Sequence, residues 1–243
     1  MGNILYDSFE TYISNLKLML LFSIPFLISI LIPLFTPLPS FMSLGGIFLR
    51  TASVFTNMTP VSIAVIIISL LISLLFLSFA FVAISLIVKS SRTKTQNPLR
   101  ILSKIEAYTS KVFIVFIFYT VILFVANIAG YMLGIETLLT ALVGFLLFIA
   151  IFYAPTAIVF GDKGFSSALK DSFKLMKSQP GYFATWLLLL FVVLSVLDYI
   201  FIAVGGTIIS QYLLLIVNSL VILPYFVIFQ AEAYMKKYNM LRH

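Results

Sequence analysis

Six runs of apolar residues, each long enough to cross a bilayer as a helix, limit what this chain can fold into. A spanning helix needs about 20 consecutive apolar residues. The runs lie near Leu16–Leu34, Val61–Val88, Val112–Leu133, Thr137–Phe160, Tyr182–Val204 and Thr207–Tyr234. They do not alternate apolar with polar residues, which argues against barrel strands. Composition agrees: the 243 residues are 62% hydrophobic and 9% charged, where soluble domains carry about 25% charged residues. Too few polar side chains remain to cover a water-soluble fold. The expected fold class is all-α, a polytopic membrane bundle of six transmembrane helices forming one integral membrane domain over residues 1–243.

Charge placement orients the bundle. Lys89, Arg92, Lys94, Arg100, Lys104 and Lys111 lie between runs two and three, and Lys163, Lys170, Lys174 and Lys177 between runs four and five. Lys236, Lys237 and Arg242 follow the last run, and Lys17 starts the first. Fourteen of the fifteen Lys and Arg therefore share one side, against Arg50 on the other. The positive-inside rule puts both termini in the cytoplasm of a cell-membrane protein. The net charge of +7 is thus read as orientation and attraction to anionic lipid, with no nucleic-acid partner.

Three segments on the basic side look alike: DSFETYIS (Asp7–Ser14), SKIEAYTS (Ser103–Ser110) and DSFKLMKS (Asp171–Ser178). Phe9, Ile105 and Phe173 align, as do Glu10 with Glu106, Tyr12 with Tyr108, and Ser14, Ser110 and Ser178. Pro155–Phe160 matches Pro224–Phe229 at the ends of the second and third hairpins. The pattern reads as a threefold pseudo-repeat of interfacial helix, span out and span back, with units near residues 3–89, 98–160 and 165–235. Over Ala168–Met176 the spacing predicts an amphipathic interfacial helix. Ala168, Leu169, Phe173 and Met176 form its apolar side, with Lys170, Asp171, Lys174 and Lys177 opposite. Such a helix lies in the headgroup plane with its lysines toward anionic lipid. The expected lipid-facing cations are Lys170, Lys174, Lys177, Arg92, Lys94, Arg100 and Lys104.

The segment Ala154–Leu188 carries a family resemblance through Pro155, Gly161-Asp162, Ala168-Leu169-Lys170 and Ser172. It resembles the membrane domain found beside some glycerophosphoryl diester phosphodiesterases, and related six-span archaeal and bacterial membrane proteins of unknown function. The resemblance implies a membrane module. Phosphodiesterase activity in that group belongs to a separate soluble domain, so no catalytic residue carries over.

Little chemistry is available. Cys is absent and His243 is the only His, which removes disulfides, zinc knuckles, His-based metal sites and Ser–His catalysis. No cofactor and no enzymatic activity are expected. Asp198 is the only ionisable side chain well inside a run. It reads either as an ion or proton site, with Asn218 or Asn127, or as a hydrogen-bonded tie between helices. Pro25, Pro155 and Pro224 are expected to shape packing inside spans. Glu136 and Glu232 fall near span ends, where a solvated carboxylate is expected. Asn57-Met58-Thr59 fits a glycosylation acceptor, expected to be unused because Pro60 follows. The sequence favours a non-catalytic scaffold or subunit of a membrane assembly. The alternative is a transporter or channel for a small or lipid-like solute, using Asp198.

Overall fold

The computed structural model describes residues 2–36, 40–49, 59–93 and 104–238. Lys94, Arg100 and the Asn57-Met58 pair lie outside the described residues. The described chain is all-α apart from one small hairpin of strands. In order it forms α1 (Gly2–Ser14), α2 (Leu16–Leu31), a 3-10 turn (Ile32–Phe35), β1 (Ser40–Ser43) and β2 (Gly46–Leu49). There follow α3 (Pro60–Thr93), α4 (Ile105–Met132), α5 (Glu136–Ile151), α6 (Ala154–Gly161) and α7 (Phe165–Ser178). The chain ends in α8 (Pro180–Val217), a π-helical turn (Asn218–Ile222) and α9 (Leu223–Lys237).

Among the described residues, five helical stretches are long and apolar enough to cross a membrane: Leu16–Phe35, Pro60–Arg92, Ile105–Met132, Glu136–Gly161 and Pro180–Lys237. The last is 58 residues long, about 87 Å if it were straight. It is not straight. Gly206 (φ 72°, ψ 174°) leaves the helical region, and Ser210 Oγ donates to Asp198 Oδ1 at 2.8 Å. Along a straight helix those residues would stand about 18 Å apart. Lower down, Trp186 Nε1 donates to the Phe226 carbonyl at 3.3 Å. The chain therefore reverses at Gly206 into two antiparallel arms.

The core sits at one end, where the C-terminal half of α3 meets α6 and α9. The stretches Ala80–Leu86 of α3, Ala154–Phe160 of α6 and Phe226–Met235 of α9 are buried at every residue. These three helices pack on one another, with α2 beside α3, α4 beside α5 and α8 beside α9. Toward the other end the side chains turn outward: Val61, Leu138, Val204 and Ile208 are all largely exposed. Apolar surface on this scale is unfavourable in water. It is compatible with a chain embedded in a membrane.

The helix breaks have local causes. Between α5 and α6 the chain turns at Phe152 and Tyr153, because Pro155 has no N–H and its ring clashes with the preceding turn. The groups this frees are satisfied from elsewhere. Gln230 Nε2 donates to the Phe152 carbonyl at 2.5 Å, and the Tyr153 N–H donates to Ser172 Oγ at 2.9 Å. The run expected as one span, Thr137–Phe160, is thus two helices in sequence. Pro224 acts alike in the last arm: the π-helical turn precedes it, and Tyr12 Oη donates to the Leu220 carbonyl at 3.3 Å.

Between α2 and α3, β1 and β2 pair antiparallel from Ser40↔Leu49 to Ser43↔Gly46. Two expectations need correction. Only two of the three similar segments, α1 and α7, are separate helices. Asn15 (φ −117°, ψ 22°) ends the first and Gln179 (φ −141°, ψ 59°), followed by Pro180, ends the other. No such breaker follows Ser110, so the middle segment runs straight into α4. Finally, Phe173 is 61% exposed and shares the outer face of α7 with Lys170, Lys174 and Lys177. Ala168, Ser172, Leu175 and Met176 make the buried face.

Candidate functional site

Two places concentrate polar chemistry, one at each end of the bundle. At the basic end, the carboxylate of Glu232 is buried, with a residue exposure of 1%. Arg92 Nε meets its Oε1 at 2.6 Å, and Thr11 Oγ1 donates to the same oxygen at 3.4 Å. Arg92 Nη2 also donates to the Asp7 carbonyl at 2.9 Å. One ion pair therefore ties α1, α3 and α9 together. This corrects two expectations: Glu232 is not a solvated end carboxylate, and Arg92 is occupied by it rather than standing on the lipid face. Nearby, Lys89 Nζ donates to the Val159 carbonyl at 2.7 Å and the Phe160 carbonyl at 3.3 Å. A cation there completes the exposed carbonyls at the C-terminus of α6. Lys163 pairs with Asp171, and Lys111 lies 3.8 Å from Asp162, whose left-handed backbone (φ 49°) ends α6.

Tyr12 belongs to the same end. Burial raises its phenol pKa above the ordinary value, so it keeps its proton and its bond to the π-helical turn before α9 through the physiological range. Lys170, Lys174 and Lys177 are exposed on α7, and Lys104 is exposed just before α4. Among the described residues these four join none of the ion pairs given above.

At the other end, Asp198 is half-buried against the last reversal of the chain. Ser210, itself fully buried, donates both to Oδ1 and, at 3.3 Å, to the Asp198 carbonyl. Beside the carboxylate is a cavity of about 70 Å³ whose lining includes Ser43, Gly45, Asp198, Thr207 and Gln211. The strand hairpin closes it. Leu44 (φ 45°) and Gly45 (φ 69°) form the two-residue turn between β1 and β2, the arrangement whose twist suits paired strands. The tip of this turn is pressed onto the last arm: Asn218 Nδ2 donates to the Gly45 carbonyl at 2.9 Å. A methyl group on Gly45 would stand 2.8 Å from Asn218 Cβ. Asn218 is 7% exposed, and its Oδ1 is buried without a hydrogen-bond partner among the described residues.

Of the three polar residues singled out inside the runs, two gather here. Asp198 lines the cavity, and Asn218 holds the turn that closes it. Asn127 is elsewhere, donating to Thr140 Oγ1 at 3.3 Å within the α4–α5 hairpin. Thr207, Ser210 and Gln211 were not singled out, although their spacing of i, i+3 and i+4 puts them on one helix face. That polar stripe directly after Gly205-Gly206 was the available signal. Nothing in the sequence pointed to Ser43 or Gly45, which reach the site from about 150 residues away in the chain. No family model matches this chain, and no curated protein and no solved structure matches it either.

Proposed function

We propose that this chain is a non-catalytic integral membrane protein, a scaffold or subunit of a membrane assembly. In this reading it crosses the bilayer six times with its basic end in the cytoplasm. The reversal at Gly206 supports six crossings, because each arm of the 58-residue stretch is then close to the length of one span. Gathering of Lys89, Arg92, Lys111 and Lys163 at one end supports the orientation.

A threefold repeat of hairpin units is supported by packing. The approach segment of each unit lies on the returning helix of the unit before: α4 on α3, α7 on α6, and α1 on α9 to close the ring. The aligned stretches of α1 and α7 also bury the same positions. Ser8 and Ser172, Thr11 and Leu175, and Tyr12 and Met176 are inside; Phe9 and Phe173 are out.

The observation that carries the scaffold reading is the uninterrupted burial where α3, α6 and α9 meet. Close-packed side chains fill the place where a solute path between the units would run. The cavity beside Asp198 favours the second reading, a transporter or channel. Flux decides between them. Protein reconstituted into proteoliposomes is expected to leave them as tight to Na⁺, K⁺ and protons as protein-free vesicles. Flux that Asp198→Asn removes would replace the scaffold with the transporter. Orientation is checked by labelling Ser167→Cys in intact cells, where reaction with an impermeant reagent from outside would overturn it.

A further inference from the structure

We infer that the cavity between the strand hairpin and the last helical reversal is a binding site for one small monovalent cation of sodium's size, with Asp198 as its charged ligand. This goes beyond the scaffold reading and does not depend on it. Asp198 lies eight residues before Gly206, about 12 Å down the helix from the reversal. Among the described residues no Lys or Arg forms an ion pair with it. Its Oδ1 accepts from the buried Ser210. A half-buried carboxylate without a countercharge is costly, and Asp198 lines the cavity beneath the strand hairpin.

The polar residues lining that cavity carry oxygen: Ser43 and Thr207 have hydroxyls, Gln211 a side-chain carbonyl and the Leu44–Gly45 turn backbone carbonyls, beside the apolar Met42, Ile202 and Leu214. The Gly45 carbonyl also accepts from Asn218. Neutral oxygens with one carboxylate suit a hard cation. A single negative charge balances a monovalent ion, whereas tight Ca²⁺ sites draw on several carboxylates. At about 70 Å³ the space is large enough for a small ion with bound water. The elements that supply the donors are far apart in sequence, so a bound ion would also fasten the strand hairpin to the last arm.

The test is thermal unfolding of the purified full chain in nanodiscs, titrated with NaCl while choline chloride holds ionic strength constant. Wild type is expected to show a saturable rise in Tm with Na⁺ and none with choline. Asp198→Asn is expected to lower the apparent Na⁺ affinity at least tenfold, and Gln211→Leu severalfold. Equal rises with choline, a rise with K⁺ or Ca²⁺ in place of Na⁺, or an undiminished rise in Asp198→Asn would each overturn the site. Should Asp198→Asn fail to fold, Gln211→Leu and Ser43→Ala carry the test, and an unchanged Na⁺ response in both overturns it. Na⁺ binding without flux leaves the scaffold reading intact; flux without Na⁺-specific stabilisation removes that reading and this site together.

Discussion

At the scale of single residues, the pairing of Arg92 with Glu232 has the largest consequence. Glu232 is almost wholly enclosed, and its partners come from α1 and α3. Removing one member leaves the other uncompensated, which costs about 3–5 kcal/mol where the remaining charge is buried. Arg92→Ala is therefore expected to destabilise the protein by about that amount, because it strands a buried carboxylate. Glu232→Ala should cost less, since Arg92 is partly exposed and can turn to water. The double variant should recover part of the Arg92→Ala loss. Denaturant unfolding in micelles, read as a double-mutant cycle, checks this. Additive losses would show that the two side chains do not support each other. The sequence places Glu232 at the end of an apolar run and Arg92 in a basic loop. Nothing in that spacing says that two residues 140 positions apart meet.

At the scale of elements, the backbone at Gly206 decides the shape of the last third of the chain. Its φ of 72° and ψ of 174° belong to a region that only glycine enters without strain. A methyl group there would touch nothing within 4 Å, so a substitution tests backbone conformation alone. Gly206→Ala is expected to cost about 1–3 kcal/mol. Gly205→Ala serves as a contrast, since its added carbon would meet only the Ile209 side chain, at 2.9 Å. Thermal unfolding of both in the same micelle is the measurement. Equal stability of Gly206→Ala and wild type would mean that the reversal does not need this conformation.

The apolar runs and their order were legible because hydropathy over about 20 residues is a strong signal, and the Gly205-Gly206 pair marked the reversal. Other features depend on partners distant in sequence. Whether Pro155 merely bends a span or divides it depends on Gln230 and Ser172 arriving to satisfy the freed backbone groups. The strand hairpin is held by Asn218, and its eight strand residues carry no alternation strong enough to announce it. Phe173 was misplaced for a related reason. Helical spacing put Phe173 on the apolar side of α7, whereas packing against α6 buries the side containing Ala168, Ser172, Leu175 and Met176.

At the scale of the whole molecule, the outer face of α7 connects charge to environment. Lys170, Phe173, Lys174 and Lys177 stand together on that face, following the i, i+3, i+4, i+7 spacing of one helical stripe. The aligned face of α1 presents Tyr6, Phe9, Glu10 and Ile13 instead. In the proposed orientation both helices lie at the cytoplasmic surface, but only α7 offers clustered positive charge there. Each lysine near an acidic surface contributes about 1 kcal/mol, and the effect fades with added salt. A tryptophan at position 173 makes this measurable. In a Trp186→Phe background, Phe173→Trp should be quenched more strongly by brominated anionic lipid than by brominated zwitterionic lipid at equal mole fraction. Replacing Lys170, Lys174 and Lys177 by Gln should remove most of that preference without lowering Tm, because all three side chains are exposed. The same fluorophore at Phe9 should show a weaker preference, since Glu10 adjoins it. An equal preference at both positions, or one that survives the triple replacement at low salt, would mean that the lysines of α7 do not select the lipid around it.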